Sequence, residues 1–137
     1  RKIAEGETEA EATFLAAAGL ARLGIDSFPG LVFRPMTLAQ MVPAAGQAAI
    51  ALQCRAEDFE TFSSFLCART AYAVNLERAV LAGLGGGCHT AVGVHASENQ
   101  LHIYHHDYGR KDMDLPHIGA SQVEGFVSDA LTKLIGK

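Results

Sequence analysis

The sequence predicts an α/β (α+β) fold, in which helices pack on one face of an antiparallel three-stranded sheet. Apolar side chains recur at three- to four-residue spacing from Phe59 to Leu66 and again from Tyr72 to Leu84, which predicts two helices. Alternating apolar residues then predict strands, and the chain closes on another amphipathic stretch. Over about the last 80 residues, this order of elements is typical of an α/β layer with an antiparallel sheet.

The N-terminal part of the chain carries weaker patterns. The alanine-rich stretch 12–23 favours a helix that ends at Gly24, although its first residues are also compatible with a buried strand. Residues 31–40 show no clear period. The short apolar run 48–54 predicts a buried strand, and the charged residues 55–58 predict a hinge after it.

The C-terminal helices have recognisable ends. Asp58 is available as the N-cap of the first helix, and the second is expected over about 70–84, where Gly85 suits a left-handed C-cap. The final stretch, 121–137, places its apolar residues on one helical face.

Three strands are expected between these helices. Alternation at 92–94 and at 101–103 predicts two of them, and the polar residues 97–100 predict the hairpin turn that joins them. Residues 113–118 are expected to add the third strand.

Composition and charge narrow the classes of function. The 137 residues have a formal net charge of -4 and a pI near 5.8, so no basic excess is present for binding nucleic acid. The sequence has neither the ~18 consecutive apolar residues of a spanning helix nor a signal peptide, so no membrane partner is expected. Three cysteines leave one unpaired in any disulfide pattern, which favours a reducing compartment and a cytoplasmic location. Because the first residue is Arg, we expect a part of a longer chain.

Four stretches of the sequence are informative as a set. They are LAAAGLARLG at residues 15–24, VPAAGQAA at 42–49, QCR at 53–55, and ERA at 77–79 followed by LGGGC at 84–88. In this order and near this spacing, they resemble the hydroxymethylbilane synthase (porphobilinogen deaminase) family. The resemblance spans nearly the whole chain.

The resemblance implies the C-terminal portion of a three-domain enzyme. Residues 1–35 are then a remnant of the second domain, 36–54 a crossing segment or strand of the N-terminal lobes, and 55–137 the C-terminal domain that anchors the cofactor. In the family, a cysteine sulfur carries dipyrromethane through a thioether. Four porphobilinogen molecules are joined onto this primer with release of ammonia, in tetrapyrrole (haem) biosynthesis.

Cys88 matches the anchor of dipyrromethane, and Gly87 precedes it. A thiolate is a strong nucleophile that can trap an electrophilic pyrrole methylene, and glycines leave room for two flat rings. A loop after a helix faces the negative end of the helix dipole, which suits a single attachment better than a cycling nucleophile. Without the resemblance, an inert loop cysteine is the favoured alternative.

Two further residues match functional positions of the family. Arg22 matches an arginine that binds the acetate and propionate groups of the growing pyrrole chain, and a guanidinium holds a carboxylate through two parallel hydrogen bonds. Gln47 matches a polar residue of the active-site cleft and is expected to contact the cofactor. Taken alone, Arg22 is a solvated helix residue and Gln47 an ordinary turn residue.

The sequence also departs from the family at two places. Ala48 stands where the family usually has Gly, and a Cβ there penalises a left-handed backbone by about 1 kcal/mol. Residues 89–91, HTA, replace a run that commonly contains Pro. These departures keep open an alternative function, a non-catalytic pyrrole-binding or interaction module derived from the family.

No residue matches the surroundings of the catalytic aspartate of the family, which lies in its N-terminal domain. No catalytic residue is therefore assigned, and these 137 residues by themselves are expected to be inactive. The partners expected are porphobilinogen, the linear pyrrole chain and the missing N-terminal domains. Uncovered apolar strand edges also predict self-association.

Other polar residues are given structural or solvent roles. Glu77 and Arg78 are expected to form an exposed helix pair that braces the domain. On a strand, His102 and His106 share a face and His105 points away, so a solvated strand face is favoured and no metal site is assigned. A zinc site built on His102 and His106 is the alternative.

Overall fold

The computed structural model describes residues 1–85, 90–116 and 122–136, which fall into two compact units, 1–37 and 38–137. The predicted order of elements in the C-terminal part is confirmed. The elements are α1 Ala17–Leu23, a 3₁₀ turn Ala56–Asp58, α2 Phe59–Ser63, α3 Ala68–Leu84, β1 Val92–Ala96, β2 Gln100–His105, β3 Gly109–Asp114 and α4 Val123–Ile135.

The N-terminal unit holds the short helix α1. Alanine has the highest helix propensity, and the helix ends where Gly24 takes a left-handed conformation with φ of 64°. The N–H of Gly24 donates to the carbonyl of Ala21 at 3.2 Å, which satisfies an acceptor of the last turn. The predicted helix and its glycine end are confirmed from Ala17 onwards, whereas residues 12–16 form neither helix nor strand.

The three strands of the second unit form an antiparallel sheet in the order β1-β2-β3. Val94 pairs with Ile103, and Ile103 pairs with Lys111. The turn between β1 and β2 closes with the N–H of Ser97 donating to the carbonyl of Gln100 at 2.8 Å. The predicted hairpin is therefore confirmed.

The third strand lies earlier in the chain than predicted. It spans Gly109–Asp114 instead of 113–118, and residues 117 and 118 lie outside the described part of the chain. The sequence of the strand, GRKDMD, is mostly charged and exposed, as befits a strand at the edge of a sheet. A search for alternating apolar residues therefore misses it.

The hydrophobic core lies between one face of the sheet and the helices α3 and α4. Helix α3 ends at Gly85, whose φ of 67° provides the predicted left-handed cap. Among the described residues, the largest fully buried side chains are Leu76, Val80, Val94, Leu101 and Ile103. The predicted fold class, with helices packed on one face of an antiparallel sheet, is confirmed.

The buried strand expected at 48–54 is not formed. Ile50 and Leu52 are 68% and 63% exposed. Apolar composition alone does not make a strand, because the backbone N–H and C=O groups also need a partner strand. Within the described residues, this segment has none.

The first predicted helix is shorter than its apolar pattern suggests. Helix α2 ends at Ser63, and Asp58 precedes it without a side-chain capping hydrogen bond. Phe59, Phe62 and Phe65 are all exposed. The apolar spacing was therefore a correct signal of helix but a wrong signal of burial.

Within residues 1–85, 90–116 and 122–136, no helix is both long enough and apolar enough to cross a bilayer.

Candidate functional site

Residues 38–47, here called the strap, cross the sheet on the face opposite the helices and then pass the edge at β1 to reach α3 at Gly46. Successive side chains of a strand point to opposite faces. Val94 and Ile103 point into the core, so their neighbours Gly93 and Tyr104 point to the other face, together with Arg110, which pairs with Tyr104. Two of these three residues, Gly93 and Arg110, lie against the strap.

Hydrogen bonds at both edge strands of the sheet hold the strap. On β3, Nη1 of Arg110 donates to the carbonyls of Leu38 and Ala39 at 2.5 and 3.1 Å. On β1, the N–H of Val94 donates to the carbonyl of Pro43 at 2.9 Å. The strap therefore runs across the sheet from its β3 edge to its β1 edge.

Gly93 allows the strap to approach the sheet closely. A Cβ atom at this position would overlap the carbonyl oxygen of Val42. Glycine inside a strand often marks such a close backbone approach. The VGV run of β1 thus has a packing reason for its central glycine.

Glu77 of α3 fastens the end of the strap to β1. Its side chain is buried, and the residue is only 4% exposed. Oε2 accepts the N–H of Gly46 at 2.6 Å, and Oε1 accepts the N–H of Ala96 at 2.8 Å. Nδ1 of His95 lies 3.3 Å from Oε1. The carboxylate thus accepts one backbone N–H of the strap and one of β1, which is an edge strand of the sheet.

The prediction of an exposed Glu77–Arg78 pair is wrong for Glu77. Arg78 is exposed, but Glu77 faces the sheet, because residues on one helix turn point in different directions. The bracing role predicted for Glu77 agrees with its two backbone hydrogen bonds.

Gln47 lies on a tight turn at the end of the strap. Its N–H donates to the carbonyl of Ala44 at 3.0 Å, and its side chain is exposed. Gly46 has φ of 73°, and Ala48 has φ of 70°. Ala48 therefore keeps the left-handed backbone that a glycine would adopt freely, at a cost of about 1 kcal/mol. The turn presents the amide of Gln47 to solvent.

Two histidines on the strap side of the sheet form a polar row with Asp112. His95 pairs with His102, and His102 pairs with Asp112. Nδ1 of His102 lies 2.9 Å from Oδ1 of Asp112, and the two histidine rings stack at 6.3 Å between centroids. Arg110 donates from Nε to both carboxylate oxygens of Asp112 at 3.1 and 3.0 Å. The hydrogen bonds from Arg110, and to a smaller extent the one with His102, lower the pKa of the Asp112 carboxyl.

The solvated strand face predicted for the histidines is wrong for His102 and right for His106. His102 is 7% exposed because its cross-strand neighbours cover it, whereas His106 is exposed and follows the end of β2. His105 points to the helix side and is also buried, with its ring stacked on Tyr108. No group of three or more side chains suited to a metal occurs among the described residues.

The residues predicted from the family resemblance fall in different parts of the structure. Arg22 is exposed on the last turn of α1 in the N-terminal unit. Gln47 lies in the second unit on the strap. Gly87 and Cys88 lie outside the described residues, and in sequence they fall between the ends of α3 and β1.

Sequence reasoning missed Gly93 and Arg110 as residues that hold the strap, and it predicted a bracing role for Glu77 without its burial. Gly93 had an available signal, since a glycine inside a predicted strand often marks a close backbone approach. Glu77 and Arg110 had none, because an acidic or basic residue shows its burial partner only after the chain has folded.

Cys54 and Cys67 are free, exposed thiols. Cys67 occupies the N-cap position of α3. Hydrogen bonds with Thr70 lower the pKa of the Cys67 thiol.

The fold and the site define a small α/β domain, in which a strap across the sheet carries an exposed glutamine turn. The sequence model for the porphobilinogen deaminase dipyromethane cofactor binding domain matches residues 1–63, which include Arg22 and Gln47. The model for the porphobilinogen deaminase C-terminal domain matches residues 71–105. The chain belongs to the porphobilinogen deaminase family.

Curated relatives agree with this assignment. The chain is 41% identical over 100 residues to the porphobilinogen deaminase of Brevibacillus brevis. This aligned region covers 71% of the chain and 31% of the relative. The chain is also 44% identical over 98 residues to that of Sphingopyxis alaskensis, where the aligned region covers 69% of the chain and 29% of the relative. The chain thus spans about a third of the length of these relatives.

Proposed function

We propose that the chain is the C-terminal portion of a hydroxymethylbilane synthase. The whole enzyme would join four porphobilinogen molecules onto a cysteine-linked dipyrromethane primer, with release of ammonia, in tetrapyrrole (haem) biosynthesis. The observation that carries the proposal is the succession of the two family domains along the chain, the cofactor-binding domain and then the C-terminal domain. The matched relatives are named porphobilinogen deaminase, the other name of hydroxymethylbilane synthase.

The covalent step assigned to Cys88 is the substitution of an amine by a thiol. The carbon–nitrogen bond of a pyrrole aminomethyl group breaks, a carbon–sulfur bond forms, and the amine leaves as ammonia with the thiol proton. Once bound, dipyrromethane would supply the pyrrole carbon to which further units are joined. Gly87 would leave space for the rings beside the sulfur.

Two described residues, one in each unit, carry side chains of the chemistry that such a group requires. An exposed glutamine amide offers both donors and an acceptor, so Gln47 can bond a pyrrole N–H or a carboxylate. Arg22 offers the paired N–H groups that bind the acetate and propionate side chains of the pyrrole units. The roles of these chain residues are therefore binding and orientation, and proton transfer is left to the aspartate of the N-terminal domain.

The partners proposed are porphobilinogen, the linear pyrrole chain and the N-terminal domains of the enzyme. The exposed apolar side chains of residues 48–66, among them Ile50 and Phe65, support a contact with further protein, or self-association when that protein is absent. Cytoplasmic location remains part of the proposal and is supported by the free thiols Cys54 and Cys67.

The adduct on Cys88 is the direct test. The chain would be produced with the N-terminal domains of the Brevibacillus brevis relative, purified, and measured by intact mass and by Ehrlich's aldehyde reagent, which colours dipyrroles. We expect a two-pyrrole adduct that Cys88→Ser abolishes and that the control substitutions Cys67→Ser and Cys54→Ser leave unchanged. An unmodified thiol at Cys88 in the unchanged protein contradicts the proposal.

The same preparations test activity and association. The chain alone is expected to form no hydroxymethylbilane from porphobilinogen and to self-associate in size-exclusion chromatography with light scattering. Addition of the N-terminal domains is expected to restore turnover and to shift the chain into a one-to-one complex. Turnover by the chain alone, or a monodisperse monomer of it, contradicts the respective expectation.

The alternative function is a non-catalytic pyrrole-binding or interaction module. The observation in its favour is the left-handed backbone at Ala48, which costs stability at a turn assigned to the cofactor. An adduct on Cys88 without turnover in the assembled protein would favour this alternative.

A further inference from the structure

We infer that Glu77 is a positioning residue of the proposed site, because its carboxylate fixes the glutamine turn of the strap against α3 and β1. The inference rests on the proposed function for the role of Gln47. It concerns a residue that lies outside both the Gln47 turn and residues 84–88. Glu77 acts through the backbone of Gly46, which directly precedes Gln47.

The two hydrogen bonds of Glu77 join three segments. The carboxylate belongs to α3, one bond goes to the turn at Gly46, and the other goes to Ala96 at the end of β1. Helix α3 and strand β1 are also the elements that flank Cys88 in the sequence. A single carboxylate therefore couples the Gln47 turn to the two elements that flank Cys88 in the sequence.

The chemistry of the contact favours a rigid connection. Hydrogen bonds from backbone N–H groups to a carboxylate are shorter and stronger than those to a neutral acceptor. The Gly46 bond is short at 2.6 Å, and Glu77 is almost completely buried. Removing a buried acceptor leaves donors without partners, so the structure resists local opening of the turn.

The backbone conformation of the turn shows why it needs the hydrogen bond to Glu77. Gly46 and Ala48 both have positive φ, and Ala48 pays a penalty for it. Left to itself, a turn with a strained alanine would relax toward other conformations. The bond from Gly46 to Glu77 offsets that tendency at the residue beside Gln47.

Amide hydrogen exchange in the 137-residue chain tests the anchor itself. In Glu77→Gln, we expect exchange at Gly46 to accelerate by about ten- to a hundredfold, which corresponds to the loss of a charged acceptor. The neighbouring exposed residue provides the matched control, Arg78→Gln, in which exchange at Gly46 should not change. The amide of Val80 in α3 reports the stability of the whole domain and should change less than that of Gly46.

Two results would overturn the anchor. One is equal exchange at Gly46 in Glu77→Gln and Arg78→Gln. The other is an equal acceleration at Gly46 and Val80, since the carboxylate would then stabilise the domain as a whole. If Glu77→Gln does not fold, Glu77→Asp keeps the charge but shortens the reach, and it should also release Gly46 while Val80 stays protected.

A double-mutant cycle tests the role of Glu77 in positioning Gln47. In the protein assembled with its N-terminal domains, Glu77→Gln is expected to slow adduct formation on Cys88 about tenfold, measured by intact mass over time. In a Gln47→Ala background the same substitution should have little effect, because the side chain being positioned is gone. Additive effects would overturn the positioning role, since a structural role does not depend on Gln47.

The adduct on Cys88 and the hydrogen exchange at Gly46 test the proposed function and the inference separately. Lack of an adduct on Cys88 in the unchanged protein contradicts the proposed function, whereas unchanged exchange at Gly46 in Glu77→Gln contradicts the inference.

Discussion

The strap, residues 38–47, and the segment 48–66 that follows it differ in how they are held. The strap forms no strand, yet Arg110, Val94 and Glu77 fix it to the sheet through its backbone. The following segment is richer in large apolar side chains, but Phe59, Phe62 and Phe65 are exposed. Specific hydrogen bonds to regular elements, more than apolar content, decide which irregular segment has a defined position on this sheet.

The substitution Gly93→Ala should break the strap with the largest effect. The added Cβ would meet the backbone of Val42, which cannot rotate away as a side chain can. We expect a loss of about 3 kcal/mol in the free energy of unfolding, measured by urea denaturation. Gly125→Ala in α4 is the matched control, because no atom lies within 4 Å of its added Cβ, and it should stabilise the chain by about 0.5–1 kcal/mol. Similar effects of the two substitutions would contradict the close approach of the strap.

The substitution Ala48→Gly tests the left-handed turn at the boundary between the strap and residues 48–66. Glycine adopts positive φ without the Cβ penalty of about 1 kcal/mol, but the unfolded chain loses more entropy at glycine on folding, so we expect a net gain of at most about 0.5 kcal/mol. Ala49→Gly, which lacks the positive φ, should instead lower stability. Urea denaturation checks both, and a loss of stability in Ala48→Gly would show that the left-handed turn is not held.

The Asp112 carboxyl, which accepts hydrogen bonds from Arg110, should make the stability of the domain sensitive to acid. Because the folded-state pKa of Asp112 is lowered by Arg110 and His102, the ionised carboxylate stabilises the fold above its unfolded pKa. That contribution is lost as the pH falls through the folded-state pKa. Since the side chain is 41% exposed, we expect less than about 1 kcal/mol.

Carboxyl NMR titration checks the Asp112 prediction. The folded-state pKa of Asp112 should rise toward its ordinary value in Arg110→Met, and Asp112→Asn should remove part of the acid-induced loss of stability. Lys133→Met, which alters an exposed helix pair with Asp129, is a control that should leave the pKa of Asp112 unchanged. An ordinary Asp112 pKa in the unchanged chain would contradict the contacts at β3.

Sequence patterns located the regular elements where they are local and repetitive. The spacing of apolar residues in α3 and the glycine after it predicted a helix that the structure confirms with small changes at its start. The hairpin of β1 and β2 was equally accessible, since alternation and turn residues are properties of neighbouring residues. β3 was displaced in the prediction because an edge strand need not alternate.

Local patterns also failed where burial depends on distant partners. The apolar run 48–54 predicted a buried strand, but a strand requires another strand to pair with, and none of the described residues provides it. His102 was assigned to solvent from strand geometry alone, whereas its cross-strand neighbours His95 and Asp112 cover it.

The fold class, the order of the C-terminal elements and the family follow from periodicity and motif order, which the chain carries without reference to contacts. The burial of Glu77, the room that Gly93 leaves for the strap, and the hydrogen bonds of Arg110 to the first strap residues arise only from tertiary contacts. These contacts join residues between 19 and 72 positions apart in the chain. Such pairs leave no local pattern, because their free energy arises only when folding brings them together.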